Sequence, residues 1–380
     1  MKLTDRSDLK HHNRRTVYDY IYNSETQKVS GAELSRGTGI SLPTILKIIE
    51  YFEENQLLQE SGTMESTTTG RRPTMLRFTP DNHSCVGMAY DGKYLELAIV
   101  NLNYKILHSQ RVRVSGNVKQ VMRTEIIPLL DHFLNGINYD RSKIFGVGLA
   151  LPLSGDIAHA SVELVTPMTA LGDRYDFRPH LQEISERFGC PVFVENDVNA
   201  AALAEFKRRS LTSADDLVYI TLGTGVGCGI LLNGRLRRGK NYAAGEIGSM
   251  LLHGAANDDI SARTLESLLN ASALQQRFGL CDAEENERWP KESLIRIADY
   301  TARYLAGAIY NISVTLDVDE FVLGGFLFEQ MEPYVLQFTR EYLLNKAPVR
   351  LSAVSAPMVT SCGAGALAHD KALDAIFMRD

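Results

Sequence analysis

Two sets of residues in this 380-residue sequence have the types and spacing to do chemistry. The first is Y-I-T-L-G-T-G-V-G-C-G at 219–229, with Gly223, Gly225, Gly227 and Gly229 following an apolar lead-in. Backbone without Cβ atoms can approach a phosphate closely, so the run raises the question of phosphoryl transfer from ATP. The second set is S-L-P-T-I-L-K at 41–47 together with G-R-R-P at 70–73. Ser41, Thr44 and Lys47 can hydrogen-bond base edges, and Pro43 comes within van der Waals reach of them. The paired guanidiniums of Arg71 and Arg72 suit phosphates or a narrow minor groove.

These residues need elements to hold them. A chain this long exceeds one ordinary core, so two or three domains are expected. Its composition, 44% hydrophobic and 23% charged, is that of a soluble globular protein. No window approaches the ~18 uninterrupted apolar residues of a transmembrane helix. The N-terminus is basic and polar without an apolar stretch behind it, which argues against secretion and for a cytoplasmic protein. The five cysteines are far apart and form no C-x-x-C pair, so free thiols are expected. The net charge of −6 divides unevenly: residues 1–80 carry +1 and the remainder −7. The acidic bulk therefore belongs to the long C-terminal part.

Residues 1–80 read as a winged helix-turn-helix that binds operator DNA. Val17, Tyr20 and Ile21 fall at helical spacing; Ser30 with Glu33 spells a capping box; Gly37 and Gly39 break the second helix. Ser41 is the expected cap of a third helix, with Pro43 in its first turn and an apolar stripe of Ile45, Ile48, Ile49 and Phe52. Residues 57–79 supply the wing. In this arrangement the exposed N-terminal face of the third helix enters the major groove. The bland alternative is a small helical dimerisation module with Arg71 and Arg72 solvated.

From residue 84 onward, strands alternate with helices, which predicts α/β architecture. E-N-D-V-N-A-A-A-L-A-E (195–205), L-G-T-G-V-G-C-G-I-L-L-N-G (222–234), the run ending A-A-G-E-I-G (239–248), L-G-G-F (323–326) and G-A-G-A-L-A (363–368) together resemble the ROK family of sugar kinases and sugar-responsive repressors. The N-terminal segment with G-R-R-P points to the repressor branch. The resemblance implies two actin-like (ribonuclease H-like) lobes, 81–205 and 206–362, with the helix at 363–380 packing back on the first. The sugar would bind at the lobe junction.

The resemblance also tests the kinase chemistry. Family kinases carry D-x-G-G-T near the start of lobe one, and the equivalent positions here are Ala89, Asp91, Gly92 and Lys93. The aspartate that organises Mg²⁺ is replaced, and Asp91 adds a negative charge where phosphates would lie. Each such like-charge contact costs on the order of a few kcal/mol. No catalytic residue, cofactor or metal is therefore assigned.

On the sugar side, Asp197 occupies the kinase base position, and Asn196, Glu246 and Glu266 match ligand-binding positions of the family. Carboxylates accept hydrogen bonds from adjacent sugar hydroxyls without any chemistry. Two other roles are open: Asp197 as the cap of a helix beginning near Val198, and Glu246 as a surface acid. Met168 stands where an asparagine is expected. Ser249 replaces the zinc-binding histidine, and residues 250–266 hold no cysteine; His253, Asp258 and Asp259 make a poor zinc set.

The leading expectation is a regulator, a repressor of carbohydrate genes, sensing a sugar or sugar phosphate as a homodimer or dimer of dimers. The alternatives are an active ATP-dependent sugar kinase with a DNA-binding appendage, and a repressor controlled by a protein partner. Among smaller landmarks, Leu305, Ile309, Ile312 and Leu316 have the spacing of a core helix face. Trp289 reads as a loop or helix-start residue. The basic turn R-L-R-R-G-K (235–240) reads as solvated.

Overall fold

The computed structural model describes residues 6–63, 74–156, 161–163, 174–212, 214–252, 264–280, 289–344, 346–355 and 357–379. Arg71, Arg72, Met168, His253, Asp258, Asp259 and Cys281 lie outside the described residues.

The N-terminal head contains α1 (Arg6–Tyr22), β1 (Lys28–Ser30), α2 (Gly31–Thr38), α3 (Leu42–Glu54), β2 (Leu58–Thr63) and β3 (Thr74–Phe78), its strands ordered β1-β3-β2 and antiparallel. This is the winged helix-turn-helix. Ser30 and Glu33 form the reciprocal capping box, and Gly39 closes α2 in the left-handed region at φ 72°. Ile45, Ile48, Ile49 and Phe52 are buried as their spacing requires. Two details differ from the sequence reading. Ser41 precedes α3 but makes no side-chain bond to its backbone; its hydroxyl pairs with Thr44 Oγ1 at 2.9 Å instead. On α1 the aromatic in the core is Tyr18, whereas Tyr20 is half-buried with its ring against Gly37. The reason is that α1 buries a second side, against the C-terminal helix, where Tyr18 meets Phe377 and His369.

The first lobe runs β4 (Ser84–Tyr90), β5 (Tyr94–Asn101), β6 (Ile106–Arg113), α4 (Val118–Thr124), α5 (Ile126–Gly136) and β7 (Ile144–Leu151). Three short antiparallel strands follow, β8 (Ser154–Asp156), β9 (Ser161–Glu163) and β10 (Arg174–Asp176), and then α6 (Arg178–Phe188), β11 (Val192–Asn196) and α7 (Asp197–Arg208). Its main sheet has the order β11-β7-β4-β5-β6, parallel among the first three and antiparallel beyond.

The second lobe runs β12 (Leu217–Leu222), β13 (Val226–Leu232), β14 (Arg235–Leu236), α8 (Leu265–Leu269), α9 (Ala271–Phe278), α10 (Lys291–Leu316), β15 (Glu320–Gly324), α11 (Phe326–Met331), α12 (Tyr334–Leu343) and β16 (Arg350–Ala353). Its sheet is β14-β13-β12-β15-β16. Leu305, Ile309 and Ile312 of α10 enter its core, as does Trp289 just ahead of the helix. The chain then returns through α13 (Val359–Phe377), which packs on β4, β7 and α7. That approach is close enough to exclude side chains. A Cβ at Gly87 would overlap the Ser361 carbonyl, and one at Gly148 the Ala364 carbonyl. Among the described residues no helix is long and apolar enough to cross a membrane.

Candidate functional site

The glycine run forms the β12–β13 hairpin, with the Gly223 amide donating to the Gly225 carbonyl at 2.9 Å. Its later glycines serve packing. A Cβ on Gly229 would lie 2.8 Å from the Val198 carbonyl, and one on Gly227 would lie 2.8 Å from the Val198 side chain, so both let α7 rest on β13.

The opposing loop between β4 and β5 is closed by its own side chain. Asp91 Oδ1 accepts from the backbone amides of Lys93 (2.9 Å) and Tyr94 (2.6 Å). Asp91 Oδ2 meets Arg111 at 3.3 Å, and the Arg111 guanidinium stacks 4.0 Å above the Tyr94 ring. Ala89 is buried beside Ala150, Ala200 and Ala364, an apolar packing where the family kinases place an acid.

Between these loops, three separated segments bring carboxylates together. Asn196 is the N-cap of α7: its Oδ1 accepts from the amides of Val198 (2.9 Å) and Asn199 (3.0 Å), and its Nδ2 donates to the Leu153 carbonyl (2.9 Å). The capping role considered for Asp197 thus falls to its neighbour, and Asp197 only shares the Val198 amide at 3.0 Å. Burial pushes the Asp197 carboxyl up to about 6, with Asp91 and Glu246 adding to the rise. Glu246 remains solvent-accessible; its carboxyl is also raised, first by what burial it has and then by Glu266. Glu266 Oε2 accepts from the Val226 amide at 3.2 Å and lies over Gly225 and Gly248, where Cβ atoms would stand 3.0 and 2.9 Å from it. Ser249 lies in a single 3-10 turn beside this group. Among the described residues no three His, Cys, Asp or Glu side chains are arranged to hold a metal ion.

The basic turn after β14 was expected to be solvated, and that expectation fails at Arg238. Its Nε donates to Glu195 Oε2 at 2.9 Å, with Nη2 on the same oxygen. Glu195 is fully buried and uses its other oxygen to accept from the Asn196 amide and Asn199 Nδ2. The sequence signal was available only in part. An acid at the end of a parallel strand must find partners, but nothing local names Arg238, 43 residues away.

On the head, the exposed side of α3 carries Ser41, Pro43 and Lys47, with Thr44 half-buried and hydroxyl-paired to Ser41. Leu42 and Leu46 are also exposed there, at 44% and 55%. They lie off the buried stripe at i, i+4 spacing, so helical periodicity could have singled them out.

Head and body are joined by a buried polar chain. Tyr104 O–H donates to Asp370 Oδ1 (2.9 Å), so it accepts from His369 Nδ1–H (2.9 Å), and His369 Nε2 accepts from the Tyr18 hydroxyl (3.2 Å). Burial would raise the Asp370 carboxyl, but Lys207 at 2.8 Å and Arg15 at 3.8 Å hold it well below the ordinary carboxylate range. Arg14 donates to the carbonyls of Phe377 and Arg379, and Tyr51 to that of Ile376. One helix, α7, thus begins at the carboxylate group and carries Lys207 in its last turn, where Asp370 links it to Arg15 of α1.

Two lobes of this topology with acids gathered at their junction, preceded by a winged helix-turn-helix, define a sugar-kinase-like body carrying such a head. The chain belongs to the ROK family, whose model matches residues 85–371. It is 26% identical to the xylose repressor of Bacillus subtilis over 252 residues, 66% of this chain and 63% of the repressor. It is 30% identical to a glucokinase of Halalkalibacterium halodurans over 271 residues, 63% of this chain and 79% of that enzyme. A solved ROK family transcriptional regulator, a homologue of the E. coli MLC protein, superposes over 97% of this chain and 98% of its own with a TM-score of 0.75 at 20% identity. A Streptomyces griseus ROK glucokinase holding glucose and AMPPNP covers 76% of this chain and 99% of its own with a TM-score of 0.58 at 22% identity.

Proposed function

We propose that the protein is a transcriptional repressor of carbohydrate uptake or catabolism genes whose body senses a sugar and transfers no phosphoryl group. The observation that carries this reading is the closed β4–β5 loop, where Asp91 occupies the amides of Lys93 and Tyr94, on a body that keeps its carboxylates. Asp197, Glu246 and Glu266 accept hydrogen bonds from sugar hydroxyls, with Asn196 holding the start of α7 in register. Pentoses and hexoses come first as ligands, since relatives are named xylose repressors and glucokinases.

On the DNA side, α3 enters the major groove with Ser41, Pro43, Thr44 and Lys47 toward base edges, while Arg71 and Arg72 reach the backbone. A homodimer supplies two such heads for half-sites one helical turn or a multiple apart. Sugar closes the lobes, and the movement passes along α7 and α13 to α1, lowering operator affinity.

The test is fluorescence anisotropy on DNA from upstream of the protein's own operon, across a salt series, with and without a sugar panel. Salt-sensitive binding relieved by one sugar is expected, with the relief lost in Asp197→Asn. Absence of any salt-sensitive DNA binding would sink the reading. A kinase reading draws on the named glucokinase relative and on an Asp197 carboxyl near the range of a general base. ATP-dependent phosphorylation of glucose or xylose, abolished by Asp197→Asn, would establish it instead.

A further inference from the structure

A cavity of about 510 Å³ opens where the head meets the body, away from the carboxylate cleft. Tyr22 of α1 forms one wall, the β5–β6 turn with Tyr104 and Lys105 a second, and the end of α7 with Lys207 and Arg208 a third. Its lining contains three cations and no acid. Among the described residues neither Lys105 nor Arg208 has a carboxylate partner; both are exposed, and Arg208 touches only the Cys362 thiol. Lys207 is shared with Asp370, which stands behind the lining. The net charge offered to an occupant is therefore close to +2, and the volume lies within the range of small-molecule sites. A phosphate monoester, with a charge near −2 at neutral pH and three acceptor oxygens, matches both the charge and the donors.

We propose that this junction cavity is a second ligand site that takes a small phosphate monoester. The phosphate oxygens sit among Lys105, Lys207 and Arg208, and the carbon skeleton lies against the half-buried Tyr22 ring. A bound phosphate competes with Asp370 for Lys207. Asp370 also holds Tyr104 and Arg15, so occupancy loosens the tie between α13 and α1. The binding claim stands on the cavity alone; its effect on DNA rests on the repressor reading.

The experiment is isothermal titration of the full chain at low salt with inorganic phosphate as the minimal probe and glycerol phosphate as the monoester. Saturable binding of glycerol phosphate is expected, weakened at least tenfold by K105Q/R208Q, whose exposed positions should leave the melting temperature unchanged, and unaffected by Asp197→Asn. No saturable binding would overturn the proposal. So would equal binding by K105Q/R208Q, loss in Asp197→Asn, or binding of inorganic phosphate without the monoester. If instead K105Q/R208Q weakens operator binding and lowers its salt slope while no phosphate binds, these cations belong to the DNA face and the proposal is wrong. Glycerol phosphate binding that leaves operator affinity unchanged would keep the site and overturn its coupling to the head.

Discussion

Arg238 of the second lobe donates through Nε and Nη2 to the buried Glu195 of the first, across the junction where Asp197 stands. Glu195 precedes Asn196, the cap of α7, and bonds both the Asn196 amide and the Asn199 side chain. One ion pair therefore couples the position of the second lobe to the start of the helix that carries the candidate ligand residues.

Removing Arg238 leaves a carboxylate buried without its charge partner. Arg238→Ala should destabilise the protein by about 3 kcal/mol, as breaking one side of a buried pair does. E195Q/R238A should recover part of the loss, because a buried amide costs less than a buried charge. Urea midpoints of the three proteins measure it. A loss below about 0.5 kcal/mol in Arg238→Ala would mean that water replaces the guanidinium freely.

Asp197 gives a pH dependence with a definite sign. Its folded carboxyl, near 6, lies above the ordinary 3.8, so the folded state holds the proton more tightly. The stability this contributes is present below about 4 and is lost as pH rises through 6. Asp197→Asn lacks that loss. At pH 8 the variant should be more stable than the parent by on the order of 1–3 kcal/mol, and at pH 4 the two should be equal, by chemical denaturation.

Much of this was legible in the sequence where the cause is local. The capping box at Ser30, the stripe from Ile45 to Phe52, the glycine hairpin and the acid-free β4 position all follow from spacing or residue type. What escaped depends on contacts between distant segments. Tyr18 replaced Tyr20 in the core because α13, more than 350 residues later, covers a second side of α1. Arg238 could not be separated from its basic neighbours without knowing that β11 ends beneath it. Asn196 and Asp197 are both good caps, and only the backbone geometry decides between them.

His369 has the opposite pH sign to Asp197. Burial pushes its imidazole down to about 3 from 6.5, and its bonds to Tyr18 and Tyr104 use one nitrogen as acceptor and the other as donor. The stability from the neutral ring is full above 6.5 and is lost as pH falls toward 3. At pH 5 this amounts to about 2 kcal/mol. His369→Gln, neutral throughout, should show a flatter fall in melting temperature between pH 7 and 5. Because Asp197 gains in part of this window, the single variants must each be compared with the parent. A parallel fall in His369→Gln would place the acid sensitivity elsewhere.

The exposed side of α3 separates two kinds of DNA contact. Lys47 is fully available, and if it lies on a phosphate, Lys47→Ala should weaken binding to all sequences and reduce the salt slope by about one. Thr44 is half-buried and held by Ser41, so its reach is fixed; Thr44→Ala should instead relax preference at one base pair, costing about 1–3 kcal/mol on the preferred operator alone. Leu46 is exposed by 55%, one turn from the exposed Leu42, and the two side chains reach toward Gly31 at the start of α2. Leu46→Ser should leave the melting temperature unchanged and reduce affinity most at operators with thymine in the facing position, through the lost methyl contact. Binding isotherms on a set of single-base operator variants, taken at two salt concentrations, distinguish the three. Equal losses on every sequence for all three variants would mean that α3 touches only the backbone, and base readout would then have to come from the wing.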